Sequence, residues 1–145
     1  NSSGAAIRFV DHTDAHTGGG VYFSDSNNIN YATSSDARLK DNITDMTGSI
    51  DRVKALAPKR FNFTSNPDIT MDGFLAHEAQ AVVPEAVNGT ENAVDDDDNP
   101  IYQAMDAGRL VPLLTGALKE AIAKIETLET EMTALKARVT ALEDA

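Results

Sequence analysis

A serine and a lysine stand five positions apart in the segment TSSDARLKDNI, residues 33–43, and together they could cut a peptide bond. A serine hydroxyl becomes a nucleophile when a base removes its proton, and a neutral lysine is one such base. Because desolvation is what makes a lysine neutral near pH 7, Lys40 would have to be partly buried in the assembled protein. Five residues of helix turn through about 140°, so Ser35 would have to lie just outside a turn, with Asp36 as its cap. A lysine that simply points into water fits the same spacing.

The composition is that of a folded, acidic protein without cysteine. The chain has 145 residues, 41% of them apolar, which is enough for one modest domain and an extension. Its net charge of −11 and its scattered cations disfavour nucleic acid and anionic membranes as partners. No apolar run approaches the roughly 18 residues of a membrane span. Since the chain starts at Asn1 without a methionine, we expect a C-terminal piece of a longer protein.

Residues 1–34 are rich in glycine, serine and asparagine and carry two short β-favouring runs, IRFV and VYF. Such runs between turn residues predict short strands. A sheet this small is marginal in water unless other chains cover it. We therefore expect residues 1–34 to be the end of a β-rich fibre or spike.

Residues 35–106 predict a small globular part that mixes helices and strands. SIDRVKALA has apolar residues at helical spacing, with Ser49 as the expected N-cap and Pro58 as the stop. KRFNFT alternates aromatic and polar residues like a half-buried strand. The other predicted elements are a turn at 65–68, a returning strand at 71–76, a short helix at 77–83 and a polar loop at 88–100.

Residues 107–145 have the periodicity of a coiled coil, with an apolar residue at every a and d position over five heptads. The a positions are Val111, Leu118, Ile125, Met132 and Val139, and the d positions are Leu114, Ala121, Leu128, Leu135 and Leu142. In a parallel, in-register coil, oppositely charged g and e residues would pair between chains: Lys124 with Glu129, Glu131 with Lys136, and Arg138 with Glu143. The seam alone leaves the number of strands open.

Three blocks of the sequence resemble one family in the expected order. SDARLKDNI (35–43) resembles its Ser-Asp-x-Arg-Leu-Lys-x-x-Ile signature, and GFLAHEAQAVVPEAV (73–87) and YQAMDAGRLVPLLTGALKEAIAKIETL (102–128) resemble two later blocks. The family is that of the self-cleaving C-terminal intramolecular chaperones of phage tailspikes and tail fibres, the endosialidase-type auto-processing peptidase domain. The segment between Tyr102 and Leu110 is longer here than the family pattern leads us to expect.

The resemblance implies a serine peptidase that acts once, on its own chain. Ser35 matches the family nucleophile and Lys40 the general base, so the scissile bond would join Ser34 to Ser35. Asp36 and Arg38 would support the site. Attack by the hydroxyl would give an ester through an N-to-O acyl shift, and water would hydrolyse the ester.

The resemblance also implies an assembly and a place in the virion. Family members are homotrimers, so the coil would have three strands, with a seam formed by Leu118, Ile125, Leu128, Met132, Leu135, Val139 and Leu142. The fold would be α+β and helix-dominated, with a chaperone domain at 35–145 that folds the upstream tail fibre or tailspike of the same chain. It would need no cofactor, metal, nucleic acid or membrane, and its fragment would be released after cleavage.

Two other functions fit the same residues. One is a structural trimer tip that never cuts, and the other is the same processing domain in a membrane-anchored transcription factor. The Gly- and Asn-rich segment before Ser35 favours a fibre over the transcription factor.

The sequence gives weaker support for a function at the remaining candidate sites. We interpret Asp95 to Asp98 as a solvated acidic loop, because it lacks the alternating ligands and the glycine of a calcium loop. His12 and His16 lack a third metal ligand. We expect His77 and Glu78 to pack or cap rather than to catalyse.

Overall fold

The chain forms two compact units, Asn1–Asp45 and Met46–Ala145. The computed structural model describes residues 5–10, 17–25 and 28–145. Its secondary structure is α+β and dominated by helix, as predicted, with small antiparallel sheets beside one long C-terminal helix.

The first unit contains a three-stranded antiparallel sheet in the order β1-β2-β3. Strand β1 covers Ala5–Val10, β2 covers Thr17–Asp25 and β3 covers Asn28–Thr33. The IRFV and VYF runs therefore form strands as predicted, whereas β3 was not predicted. His12 and His16 lie outside the described residues.

The second unit is built from short elements against the start of the long helix. Its helices and strands are α1 Ser49–Ala55, β4 Lys59–Phe63, β5 Asn66–Gly73, α2 Ala76–Gln80, β6 Val87–Asn88, β7 Ala104–Met105 and α3 Val111–Glu143. Strands β4 and β5 form a hairpin, and β6 pairs antiparallel with β7. Short 3₁₀ turns at Pro84–Ala86 and Ala107–Leu110 complete the unit.

A small apolar core joins these elements. Its buried members are Ala79, Val83, Ala86, Val87, Leu110 and Leu113. Leu113, only 2% exposed, is the largest fully buried side chain and lies in the first turn of α3. The start of the long helix is therefore part of the globular core, while Pro112 in the same turn removes no helical hydrogen bond.

Three details of the globular part correct the sequence predictions. Ser49 is not the N-cap of α1; the cap is Gly48, whose φ of 70° lies in the left-handed region that glycine tolerates. The β4–β5 turn falls on Thr64 and Ser65, and β5 already begins at Asn66, before the predicted 71–76. The predicted helix at 77–83 is the shorter α2, followed by a 3₁₀ turn.

Helix α3 runs for 33 residues, about 50 Å at the usual rise, as the heptads predict. The seven residues of the predicted seam are between 45% and 78% exposed in the single chain. Such a stripe of exposed apolar side chains marks an interaction surface. Three strands and a parallel orientation stay predictions. Within the described ranges, no helix is long and apolar enough to cross a membrane.

Candidate functional site

A 3₁₀ turn over Ala37–Leu39 brings Lys40 back onto Ser35. The amide of Leu39 donates to the carbonyl oxygen of Asp36, and that of Lys40 donates to Ala37, both at 3.1 Å. As a result, Lys40 Nζ donates to Ser35 Oγ at 2.8 Å and to the Ser35 carbonyl oxygen at 3.2 Å. Ser35 thus lies just outside the turn, and Lys40 reaches back to it.

The carboxylate of Asp36 organises this turn. Its Oδ1 accepts the backbone N–H of Arg38 at 2.9 Å, which is a local N-cap. The Arg38 guanidinium binds the same carboxylate with two hydrogen bonds, Nε to Oδ1 at 2.9 Å and Nη2 to Oδ2 at 2.7 Å. These bonds, above all that from the Arg38 side chain, lower the pKa of Asp36 to about 2. The same pair raises the pKa of Arg38.

The whole segment from Ser35 to Lys40 is exposed in the single chain. Its hydrogen bonds are local, since the Ser35–Lys40 pair spans five positions and the Asp36–Arg38 pair spans two. The turn therefore gives the hydroxyl and the amine their mutual geometry without help from distant residues.

This geometry suits proton transfer between the two side chains. A separation of 2.8 Å is within the range needed for a general base and its proton donor. The ammonium donates to Oγ, and after losing a proton the amine could accept the hydroxyl hydrogen at the same distance. The peptide bond to Ser34 adjoins the hydroxyl in the chain, so an attack on it needs no separate substrate pocket.

The other residues singled out from sequence have structural contacts. The Asp95 carboxylate accepts the backbone N–H groups of Asp97 and Asn99, both at 2.9 Å, so it closes its own loop. Glu78 pairs with Lys59 at 3.2 Å, and His77 Nδ1 lies 3.8 Å from Glu91. Over the described part of the chain, no group of three or more His, Cys, Asp or Glu residues could hold a metal ion.

Among the polar contacts between distant elements that sequence reasoning missed is one between α3 and α1. Glu120 of α3 accepts the backbone N–H of Ser49 at Oε1 (2.8 Å) and that of Ile50 at Oε2 (3.0 Å). Seventy-one positions separate Glu120 from Ser49. In the sequence, Glu120 is a carboxylate on the outer face of a predicted coiled-coil helix. Nothing in that pattern distinguishes it from an ordinary solvated glutamate.

The family comparison falls on this part of the chain. Residues 35–88 match the model of a peptidase family described as chaperone of endosialidase. This match over part of the chain supports the endosialidase-type chaperone domain that the resemblance indicated. The matched range includes the turn with Ser35 and Lys40, and it ends at the last residue of β6. No curated protein matches the chain.

Proposed function

We propose that this chain is an intramolecular chaperone that assembles an upstream tail fibre or tailspike as a trimer and then cuts itself free between Ser34 and Ser35. The observation that carries the proposal is the 2.8 Å contact of Lys40 Nζ with Ser35 Oγ, inside the range that matches the family. The upstream partner would be the fibre domain of the same polypeptide, and the setting would be the virion tail.

Cleavage would proceed in two steps, an acyl shift and a hydrolysis. Neutral Lys40 takes the hydroxyl proton while Ser35 Oγ bonds to the carbonyl carbon of Ser34, and the C–N bond breaks as the amine of Ser35 is protonated. The product is an ester between the Ser34 carbonyl and Ser35 Oγ. Water then hydrolyses the ester, which leaves a carboxylate on Ser34 and the hydroxyl on Ser35. Intramolecular placement of reacting groups can supply as much as about 7–11 kcal/mol of the barrier.

Assembly would precede the cut. A fibre whose strands pair between chains folds slowly, because distant segments must meet before any contact forms. The exposed stripe of α3 would join three chains first and hold their upstream segments at high effective concentration. After removal of the chaperone, a high barrier between the folded and unfolded fibre would make both refolding and unfolding slow.

In this proposal, the exposure of Lys40 in the single chain delays cleavage until the chains have assembled. An exposed lysine is a poor base near neutral pH because water stabilises its charged form. Packing between assembled chains would desolvate the amine and activate it. Self-cleavage would then report that the trimer has formed.

A time course of the purified chain on a denaturing gel tests the proposal. The wild type should give two fragments, 1–34 and 35–145, and Ser35→Ala and Lys40→Gln should stay whole. Lys54→Gln is the matched control, since Lys54 is an exposed cation whose contact is Asp51 at 3.7 Å. It should cut like the wild type. A wild type that stays whole in its trimeric form would sink the proposal.

The second candidate is a trimer tip that never cuts. The exposure of the whole Ser35–Lys40 segment favours it, because a solvated amine stays charged. On this hypothesis the wild type and Ser35→Ala give the same single band at every time.

A further inference from the structure

The bond pair between Arg38 and Asp36 places two opposite charges beside the proposed general base. Arg38 donates from Nε to Oδ1 at 2.9 Å and from Nη2 to Oδ2 at 2.7 Å, so both carboxylate oxygens are bound by the guanidinium. In the described part of the chain, the amine of Lys40 hydrogen-bonds to Ser35 alone and makes no ion pair. Lys40 therefore has no counter-ion of its own.

The charge of Asp36 nevertheless reaches Lys40. The hydrogen bonds from Arg38 are the main cause of the lowered pKa of Asp36, and the positive charge of Lys40 makes a smaller contribution in the same direction. Since the attraction between two charges is mutual, the carboxylate also stabilises the ammonium form of Lys40. An uncompensated Asp36 would thus oppose the neutral amine that cleavage needs.

The charged side chains that flank Lys40 within residues 35–41 are Asp36, Arg38 and Asp41. Asp41 is exposed and forms no hydrogen bond or ion pair with any described residue. No charged side chain of another element contacts Lys40 within the described ranges. The charge felt by the amine therefore depends on how completely Arg38 compensates Asp36.

We propose that Arg38 is a positioning residue for self-cleavage that acts on Lys40 through charge: by neutralising Asp36, it lets the amine lose its proton at a lower pH. The effect would grow when assembled chains exclude water, because charges interact more strongly in a medium of low dielectric constant. This inference rests on the proposed function, and it concerns residues 35–40 alone.

The pH dependence of cleavage tests the inference, because a purely structural role would change the rate without moving the midpoint of the pH profile. Arg38→Gln leaves Asp36 uncompensated, so the midpoint should rise by about half a pH unit or more. Below the midpoint, that shift slows cleavage at a fixed pH by about threefold or more. Asp36→Asn leaves the guanidinium uncompensated, and its midpoint should fall below that of the wild type, while asparagine can still cap the turn.

Three further variants separate charge from geometry. Asp36→Asn combined with Arg38→Gln removes both charges and should bring the midpoint back close to the wild-type value. Arg38→Lys keeps the charge and should keep the midpoint, even where its maximal rate falls. Arg60→Gln is the matched control, because Arg60 binds both oxygens of Asp72 in the same way, at 2.8 and 3.0 Å, and it should change neither midpoint nor rate.

A second measurement needs no cleavage. Nitrogen NMR of the Lys40 amine in Ser35→Ala follows its protonation directly, and the midpoints should keep the same order, with Asp36→Asn lowest and Arg38→Gln highest. This measurement also serves for a variant that fails to assemble, since the hydrogen bonds of the turn lie within residues 35–40 of one chain.

Coinciding pH profiles for Arg38→Gln and the wild type would overturn the inference while the proposed function stands. A midpoint that rises in both single variants would also overturn it, since opposite charges must act with opposite sign. A wild type that never cuts would overturn the proposed function and the role in cleavage. The NMR midpoints would then decide whether Arg38 controls the protonation of Lys40 at all.

Discussion

The Asp36–Arg38 pair shows how an exposed segment keeps a defined shape. A single ion pair in water contributes little, because solvent screens it and ordering the side chains costs entropy. Here one carboxylate also caps the backbone of the same turn, so three hydrogen bonds act within three residues. The turn that presents Lys40 to Ser35 depends on this carboxylate.

The protonation of Asp36 should set the lower pH limit of the turn. Because the folded pKa is lowered from 3.8 to about 2, mainly by the Arg38 side chain, the pair contributes fully above about pH 4 and is lost as the pH falls through about 2. Carboxyl NMR of Ser35→Ala should give a titration midpoint near 2. In Arg38→Gln the midpoint should move back towards 3.8. A midpoint near 3.8 without that substitution would contradict the prediction.

Arg38→Lys should slow cleavage although the charge is kept. A lysine ammonium cannot bind both carboxylate oxygens as the guanidinium fork does, so the turn should open more often. We expect a rate lower by about tenfold, measured as fragment appearance in the trimer. Arg138→Lys, an exposed arginine on the distal coil, is the control and should cut at the wild-type rate. Equal rates for the two variants would mean that the fork has no part in cleavage.

At the scale of single residues, the local geometry of the site could be predicted from the sequence, but most of its further contacts could not. The helical arithmetic of five positions already required a turn between Ser35 and Lys40, with Asp36 at its start. A contact of Arg38 with a nearby acid was expected, but its twofold geometry on Asp36 was not, and the Glu120 contact with α1 was missed. The first depends on side-chain rotamers, and the second joins residues that only tertiary packing brings together.

Among the elements, α3 connects the globular part with the predicted coiled coil. Its first turns supply Leu113 to the core and Gly116 and Glu120 to α1, while its later turns are exposed all round. A change in the first turns should therefore affect the stability of the globular part, and a change in the later turns should affect association.

Gly116→Ala tests the close approach of α1 and α3. Alanine favours helix over glycine by about 1 kcal/mol, so an unpacked position would gain stability. At Gly116 the new methyl would meet Ser49, and we expect a net loss of about 1–3 kcal/mol in the free energy of unfolding. Chemical denaturation of Ser35→Ala, with and without the change, measures it.

Thr127→Ala is the control for Gly116→Ala, because Thr127 is exposed on the same helix and its hydroxyl bonds only the carbonyl of Ala123 in the preceding turn. That change should be neutral or slightly stabilising, since alanine is the better helix former. A stabilised Gly116→Ala would show that α1 and α3 separate easily at this point.

The elements were predictable where periodicity was strong. Helix α3 and the β4 strand follow from heptads and from alternating aromatics, and the first two strands follow from short β-favouring runs. The start of β5 did not, since Asn66, Pro67 and Asp68 are turn-favouring residues and hide the beginning of the strand. Ser49 was taken for a cap because its side chain suits that role, but burial against Gly116 places it inside the first turn.

For the whole molecule, the proposed function makes the exposed seam the surface that sets the state of assembly. Leu128→Lys combined with Leu135→Lys, made in Ser35→Ala, should reduce the proposed particle of three 15.5 kDa chains to a single chain. Three buried ammonium groups per layer repel one another and lose their water. Light scattering measures the mass. With Ser35 intact, the same pair should abolish cleavage, and unchanged cleavage by a monomer would contradict the proposed checkpoint.

Thr130→Lys with Ala137→Lys controls for added charge, because both positions lie on the outer face of the heptads. That variant should stay trimeric and cut normally. If it dissociates as well, charge rather than seam burial would explain the effect.

The orientation of the coil can be read from a single added thiol, since the chain has no cysteine of its own. Leu142→Cys occupies a d position, where parallel, in-register helices bring equivalent residues together. Mild oxidation should give a disulfide-linked dimer band on a non-reducing gel. Glu143→Cys, one position further, should cross-link less. An antiparallel coil would keep the two Leu142→Cys thiols far apart and give no such band.

The division of labour along α3 bears on how such a protein can evolve and be engineered. Past about the twelfth residue of the helix, the side chains are exposed in the single chain, and in the proposed trimer they would serve association alone. That distal stretch would then be a module that another three-stranded coiled coil could replace, or that could gain or lose whole heptads, without loss of self-cleavage. The proximal turns have no such latitude, because one face of the helix there packs on the globular part while another face carries the start of the exposed apolar stripe.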